Sequence, residues 1–185
     1  MHDYANVPNE LKTLPQWVNW GAVGDKARKK PYNPETARPA KANEPSSWTT
    51  FDAVCEGVAH GVYEGIGFEF HANGIVGVDF DHCFKDSQLD PWIASWVKRF
   101  DSYTEISPSG DGLHILCKGS LRGSVKRPRA ELYDRTRYFT VTGNVYGTAK
   151  PLIEAQDALD ALYERLCGKE EAHSAANPCG SYDAG

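Results

Sequence analysis

The sequence predicts an α+β fold built on largely antiparallel sheet. Runs of strand composition come in neighbouring pairs joined by short turns. Residues 66–70 and 75–80 flank His71-Ala-Asn-Gly74, and residues 102–106 and 113–118 flank Ser107-Pro-Ser-Gly-Asp-Gly112. Between and beyond these pairs lie stretches of helical period, over 51–58, 93–100 and 154–166. Helices mixed with strand pairs of this kind are the pattern of an α+β domain.

Taken in order, residues 8–14 predict a short helix with Leu11 and Leu14 on one side, and 16–20 a strand. A basic loop broken by Pro31 and Pro34 follows, and loop continues over 37–45. Ser46 or Ser47 is the expected cap of a helix carrying Phe51, Val54, Cys55 and Val58, which stops near His60-Gly61. The next unit is read as a hairpin over 66–80. Asp90-Pro91 is a strong helix start, an acidic N-cap with proline in the first turn, and Ile93, Trp96, Val97 and Phe100 form its apolar stripe. Strands are expected at 102–106, 113–118, 130–133 and 137–142, the last ending at the turn Gly143-Asn144. A final helix over 154–166 turns Leu159, Leu162, Tyr163 and Leu166 inward. From residue 168 the composition is Gly, Ala, Ser, Asn and Pro, too poor in apolar side chains to order itself. One domain over 1–167 and a flexible tail or linker over 168–185 is the expected organisation.

With 185 residues the chain is sized for one domain and a short appendage. No apolar run reaches membrane-spanning length, and the start has no basic, hydrophobic leader, so a cytoplasmic protein with no membrane partner is expected. The five cysteines are widely spaced with no C-x-x-C pair, which indicates neither a disulfide framework nor a standard zinc knuckle. Zinc at His82 and Cys83 stays open as a second reading of that stretch. The net charge of −5 argues against a surface coated for duplex binding. Its distribution matters more. Lys26, Arg28, Lys29, Lys30, Arg38 and Lys41 form one basic segment, and Lys118, Arg122, Lys126, Arg127, Arg129, Arg135 and Arg137 another. Cationic segments beside a carboxylate site suit a polyphosphate or nucleic-acid substrate.

That carboxylate site is Asp79-Phe-Asp81. Side chains alternate along a strand, so Asp79 and Asp81 project to one side and Phe80 to the other, into the core. Two neighbouring anions repel unless a cation separates them, and hard divalent ions such as Mg²⁺ or Mn²⁺ are the usual solution. A capped turn plus an ion pair is the plainer reading of the same residues. The loop Ser107 to Gly112 has glycines at Gly110 and Gly112 that let backbone N–H groups approach an anion, and His114 follows one residue into a strand. Glu131 starts a strand and is favoured as a third acid; Asp134 stands nearby with the opposite strand parity. Arg137 is placed to neutralise phosphate.

Asp79-Phe-Asp81, then Ser109-Gly-Asp-Gly-Leu-His114, then Glu131 ahead of Arg137-Tyr-Phe-Thr-Val-Thr-Gly143, resemble the three motifs of the archaeo-eukaryotic primase superfamily, in particular its phage and plasmid primase–polymerase branch. Trp17-Val-Asn-Trp20, Lys30-Pro-Tyr-Asn-Pro34 and Trp48 are similar to the leader of phage-type members, so the likeness spans about residues 8–166. The resemblance implies an RRM-like mixed, largely antiparallel sheet with flanking helices, joined to a smaller α/β unit. It implies template-directed nucleotidyl transfer, primase and DNA polymerase together, on a single-stranded DNA template and primer. Two divalent ions, Mg²⁺ or Mn²⁺, would sit on Asp79, Asp81 and Glu131, with His114 on the nucleoside triphosphate. Ser107, Ser109, Gly110, Gly112, Arg137 and Lys30 are expected on the nucleotide, and Lys29, Arg122, Lys126, Arg127 and Arg129 on nucleic acid. A glutamate stands where the family's third motif commonly has aspartate. Phage members are often parts of primase–helicases, which makes a helicase domain or protein a further expected partner; no Walker A motif occurs in this sequence. A metal-dependent nuclease or nucleotide hydrolase on the same carboxylates, and a non-catalytic single-strand-binding module, are the alternatives.

Overall fold

The computed structural model describes residues 3–24 and 30–168. All of the expected tail over 168–185 except Gly168, and Lys26, Arg28 and Lys29 of the first basic segment, lie outside them. The chain opens with helix α1 (Asn9–Lys12) and strands β1 (Trp17–Ala22), β2 (Pro31–Asn33) and β3 (Arg38–Pro39). Helix α2 (Phe51–Ala59) leads into β4 (Tyr63–His71), β5 (Ile75–Phe80) and a small hairpin of β6 (Phe84–Lys85) and β7 (Gln88–Leu89). Then come α3 (Pro91–Phe100), β8 (Tyr103–Ile106), β9 (Leu113–Lys118), β10 (Val125–Arg127), β11 (Ala130–Tyr133), β12 (Arg135–Val141) and α4 (Gln156–Cys167). This is the expected α+β class. The two main sheets have five strands each, ordered β12-β4-β1-β2-β3 and β10-β11-β5-β9-β8, with antiparallel ladders throughout.

The expected hairpin over 66–80 does not form. β4 pairs with β1 and β12 in the first sheet, while β5 pairs with β9 and β11 in the second. The turn chemistry was real but serves another purpose. Ala72 and Gly74 both take positive φ, 53° and 88°, which swings the chain out of one sheet and into the other. The chain returns at Asp134, between β11 and β12. The two crossings are clasped, because Ala72 N donates to Asp134 O. Two smaller corrections concern local reading. Thr50, not Ser46 or Ser47, caps α2, accepting from Ala53 N, and those serines lie in a 3-10 turn. Parts of the stretches read as loop over 24–45 become the short strands β2 and β3, because β2 takes the free edge of β1 and β3 that of β2.

Alternation along β5 and β9 sorts the core into two layers. Val76, Val78 and Phe80, with Leu113, Ile115 and Cys117, pack against Ile93, Trp96 and Phe100 of α3 and Leu159 and Leu162 of α4. Asp90 caps α3 as expected, accepting from Trp92 N and Ile93 N. The other face of the second sheet meets the first, with Leu116, Tyr103 and Tyr133 against Phe68, Phe70 and Phe139. Gly77 sets that approach: a Cβ there would stand 2.4 Å from Phe70 Cζ and 2.5 Å from Phe139 Cε2. Asp79 shares Gly77's face, so the acid is carried to the seam between the sheets.

Candidate active site

One ladder position crosses the whole second sheet. Lys126 stands opposite Glu131, Glu131 opposite Asp79, Asp79 opposite His114, and His114 opposite Glu105. Residues directly opposed in antiparallel strands lie on the same face with Cβ atoms about 5 Å apart. Sequence positions from 79 to 131 are thereby collected into one row. Asp81 follows just past the end of β5, and all of this row except Glu105 lines, with Asp81, a cleft of about 560 Å³.

Each member of the row is held. Glu105 is completely buried and accepts from the Tyr103 hydroxyl at 2.7 Å, from Thr142 N at 3.0 Å and from Gly143 N at 3.0 Å. Its Oε1 lies 3.3 Å from His114 Nδ1, which orients the imidazole so that Nε2 faces Asp79 Oδ1 at 3.6 Å. The ring also packs on Phe139, with centroids 5.1 Å apart. Burial opposes a charge on His114. The Glu105 hydrogen bond, the Asp79 and Glu105 charges and the Thr140 backbone outweigh it, so the pKa is raised. On the far side Lys126 Nζ meets Glu131 Oε1 at 3.0 Å and the Tyr133 hydroxyl donates to Glu131 Oε2 at 2.9 Å. Arg137 stacks on the Tyr133 ring, 5.0 Å to its centroid, and donates to its hydroxyl oxygen at 3.4 Å.

The structure thus brings together Asp79, Asp81, His114, Glu131, Lys126 and Arg137. Asp134, the alternative third acid, is turned away: its buried carboxylate accepts from Leu121 N and pairs with Arg135. Ser107, Ser109, Gly110 and Gly112 flank the cleft without lining it. Ser107 Oγ closes its own loop by accepting from Gly112 N, and Asp111 binds His82 Nδ1 at 2.7 Å. Lys30 lines a separate depression on the first sheet, with Tyr32, Tyr63 and Val23. Arg122 meets Glu164, Arg127 donates to Leu166 O, and Arg129 meets Asp90, all on the helix-covered side. Cys83 is buried with its thiol donating to Phe80 O, and burial pushes that thiol up to about 12, a poor start for the zinc reading.

Two acids in the site region escape the motif reading. Glu105 stands between Thr104 and Ile106 in β8 and Glu69 between Phe68 and Phe70 in β4, and both are completely buried. A charged residue inside a buried strand needs a partner or a purpose, and that was the available sign. Glu69 lines the same cleft as Asp79, and burial pushes its carboxyl up to about 7.

Among the described residues no three His, Cys, Asp or Glu side chains form a ready-made metal ligand set. The donors still suit a hard divalent ion. Mg²⁺ sites in phosphoryl-transfer enzymes use one or two carboxylates and let substrate phosphates and water complete the shell. Asp79 and Asp81 offer such a pair, while Glu131 is engaged by Lys126 and Tyr133. No helix among the described residues is long and apolar enough to cross a membrane.

No family model matches the chain. It is 34% identical over 146 residues to a protein of Nitratiruptor phage NrS-1 named DNA Primase-polymerase. The alignment takes in 74% of this chain and 20% of that protein, so the chain spans about a fifth of its relative's length. With that identity carried across most of a fold whose acid row is assembled as described, the chain belongs to the phage-type primase–polymerase family.

Proposed function

We propose that this chain is the catalytic unit of a template-directed nucleotidyltransferase that both primes and extends DNA on a single-stranded template. The observation that carries the reading is the single row Lys126–Glu131–Asp79–His114, which sets paired carboxylates between cationic side chains in one cleft. In the transfer, a 3′-hydroxyl oxygen bonds to the α-phosphorus of a nucleoside triphosphate, and the bond to the bridging oxygen breaks to release pyrophosphate. Asp79 and Asp81 would hold Mg²⁺ or Mn²⁺, with Glu131 joining once Lys126 leaves it. Two such ions, when bound, supply charge neutralisation and a more acidic attacking hydroxyl.

The chain's own residues do the rest. Glu105 fixes the His114 ring, and the protonated ring presents Nε2–H toward the cleft, where it can donate to a phosphate oxygen. Lys126 and Arg137 face the same space and offset the triphosphate charge. Lys30 and the Ser107–Gly112 loop lie outside the cleft lining, so their assignment to nucleotide rests on resemblance alone. A helicase partner likewise rests on resemblance alone.

The test is a gel assay with single-stranded template, labelled nucleotide and Mg²⁺ or Mn²⁺, with and without primer. Extension should occur for the natural chain and fall on the order of a thousandfold or more for Asp79→Asn or Asp81→Asn. Unprimed products would establish priming. Shortened template or released nucleoside monophosphate without any extension would give the site to a nuclease or hydrolase instead.

A further inference from the structure

Glu69 is the one buried carboxylate in the cleft whose oxygens have no hydrogen-bond partner among the described residues. It is 0% exposed, in the middle of β4, on the opposite face from Phe68 and Phe70. Its backbone is tied on both sides to Gln16, so the side chain's placement is fixed by the ladder. Tyr138 is its cross-strand partner, and the Tyr138 ring covers Gly67, two residues along the same face. An acid desolvated without a partner costs stability, and the same burial raises its carboxyl pKa. Such a group is a cost to the empty protein that a ligand bringing a donor would offset.

The cleft says which donor. Asp79, Asp81, Lys126 and Arg137 gather charge suited to a triphosphate at the second sheet, and Glu69 with Tyr138 lies where the same cleft reaches the first sheet. The nucleoside end of the ligand therefore falls to Glu69. A base edge is a poor match, because templated synthesis admits all four bases and turns their hydrogen-bonding edges to the template. A sugar hydroxyl is common to all of them. We propose that Glu69 accepts a hydrogen bond from the 3′-hydroxyl of the incoming nucleotide, and so selects against nucleotides that lack it. This rests on the nucleotidyl-transfer reading above. A site built to hydrogen-bond a hydroxyl rejects the analogue without one more strongly than a merely apolar pocket does, because its polar group is left buried and bare.

The experiment is calorimetric titration of the full chain, with Mg²⁺ and a primer–template ending in a dideoxynucleotide so that nothing turns over. dTTP and 2′,3′-dideoxy-TTP are compared. The natural chain should bind dTTP about tenfold tighter, the scale of one hydrogen bond to an ionisable group. Glu69→Leu, which fills the buried space without an acceptor, should bind both alike. Equal binding of the two by the natural chain would overturn the proposal, and this needs no variant to fold. A preference that survives in Glu69→Leu would overturn it too. The transfer reading itself would fail differently: neither nucleotide would bind, or binding would persist in Asp79→Asn.

Discussion

Glu131 faces Asp79 across the β11–β5 ladder with both of its oxygens already engaged, one by Lys126 at 3.0 Å and the other by the Tyr133 hydroxyl at 2.9 Å. On the two-ion reading proposed above, the ammonium of Lys126 would compete with a divalent ion for Glu131. Removing it should make the cleft a better ion site. Lys126→Met is expected to tighten Mn²⁺ binding several-fold, read by electron paramagnetic resonance in the absence of nucleotide. Folding stability should change by less than about 1 kcal/mol, because the Lys126 side chain is 64% exposed. Unchanged or weaker Mn²⁺ binding would show that Lys126 does not guard Glu131.

The Glu105–His114 pair gives a pH-dependent expectation. The folded pKa of His114 is raised, despite opposing burial, by the Glu105 hydrogen bond and the neighbouring charges. The stability it contributes is thus fully present below the unfolded value of about 6.5 and is lost as pH rises through the folded value. Glu105→Gln should lower the His114 pKa, seen directly in an NMR titration of the imidazole. It should also cut extension by roughly 10–100-fold, the usual effect of losing a residue that orients an active-site histidine. A histidine titration that does not move would remove Glu105 from the site.

Of the acid row, only Glu105 goes unread in the sequence, since Glu131 is favoured there as the third acid and Lys126 is named for nucleic acid. Asp79, Asp81 and His114 stood out because paired acids and a glycine-framed histidine are unusual locally, and strand parity already put Phe80 in the core. Glu105 was not legible, since its role depends on register: it becomes part of the row only when β8 pairs with β9. Topology was the harder matter. The residues at 71–74 have turn chemistry whether the chain folds back on itself or crosses to another sheet, and nothing local separates the two outcomes. What decides between them is the supply of other edges, β1 and β12 for one strand and β9 and β11 for the other.

Gly77 tests whether the seam between the sheets matters to the site. Alanine there would drive its methyl into Phe70 and Phe139, at 2.4 and 2.5 Å before relaxation. Overpacking of this kind typically costs about 1–3 kcal/mol. Because Phe139 also packs on His114, displacement of that ring should lower extension activity beyond the loss of folded protein. Denaturant midpoints and activity per folded molecule separate the two effects. A variant as stable as the natural chain would mean that the sheets do not close as tightly as this glycine indicates.

Glu69 offers the remaining expectation, with a sign opposite to that of an ordinary paired carboxylate. Desolvation raises its folded pKa from 4.5 to about 7. Between those values the folded state holds a proton that the unfolded chain releases, so stability must fall as pH rises across that window. At 1.36 kcal/mol per pKa unit the full loss is on the order of 3 kcal/mol, complete above about pH 7. Glu69→Leu has no proton to lose and a better match to its buried surroundings, so its stability should be flatter from pH 4.5 to 7 and higher at pH 8. Chemical denaturation of both chains at pH 5 and pH 8 measures the difference. Equal slopes would mean that Glu69 ionises in the fold at little cost, and that water or a protein group already satisfies it.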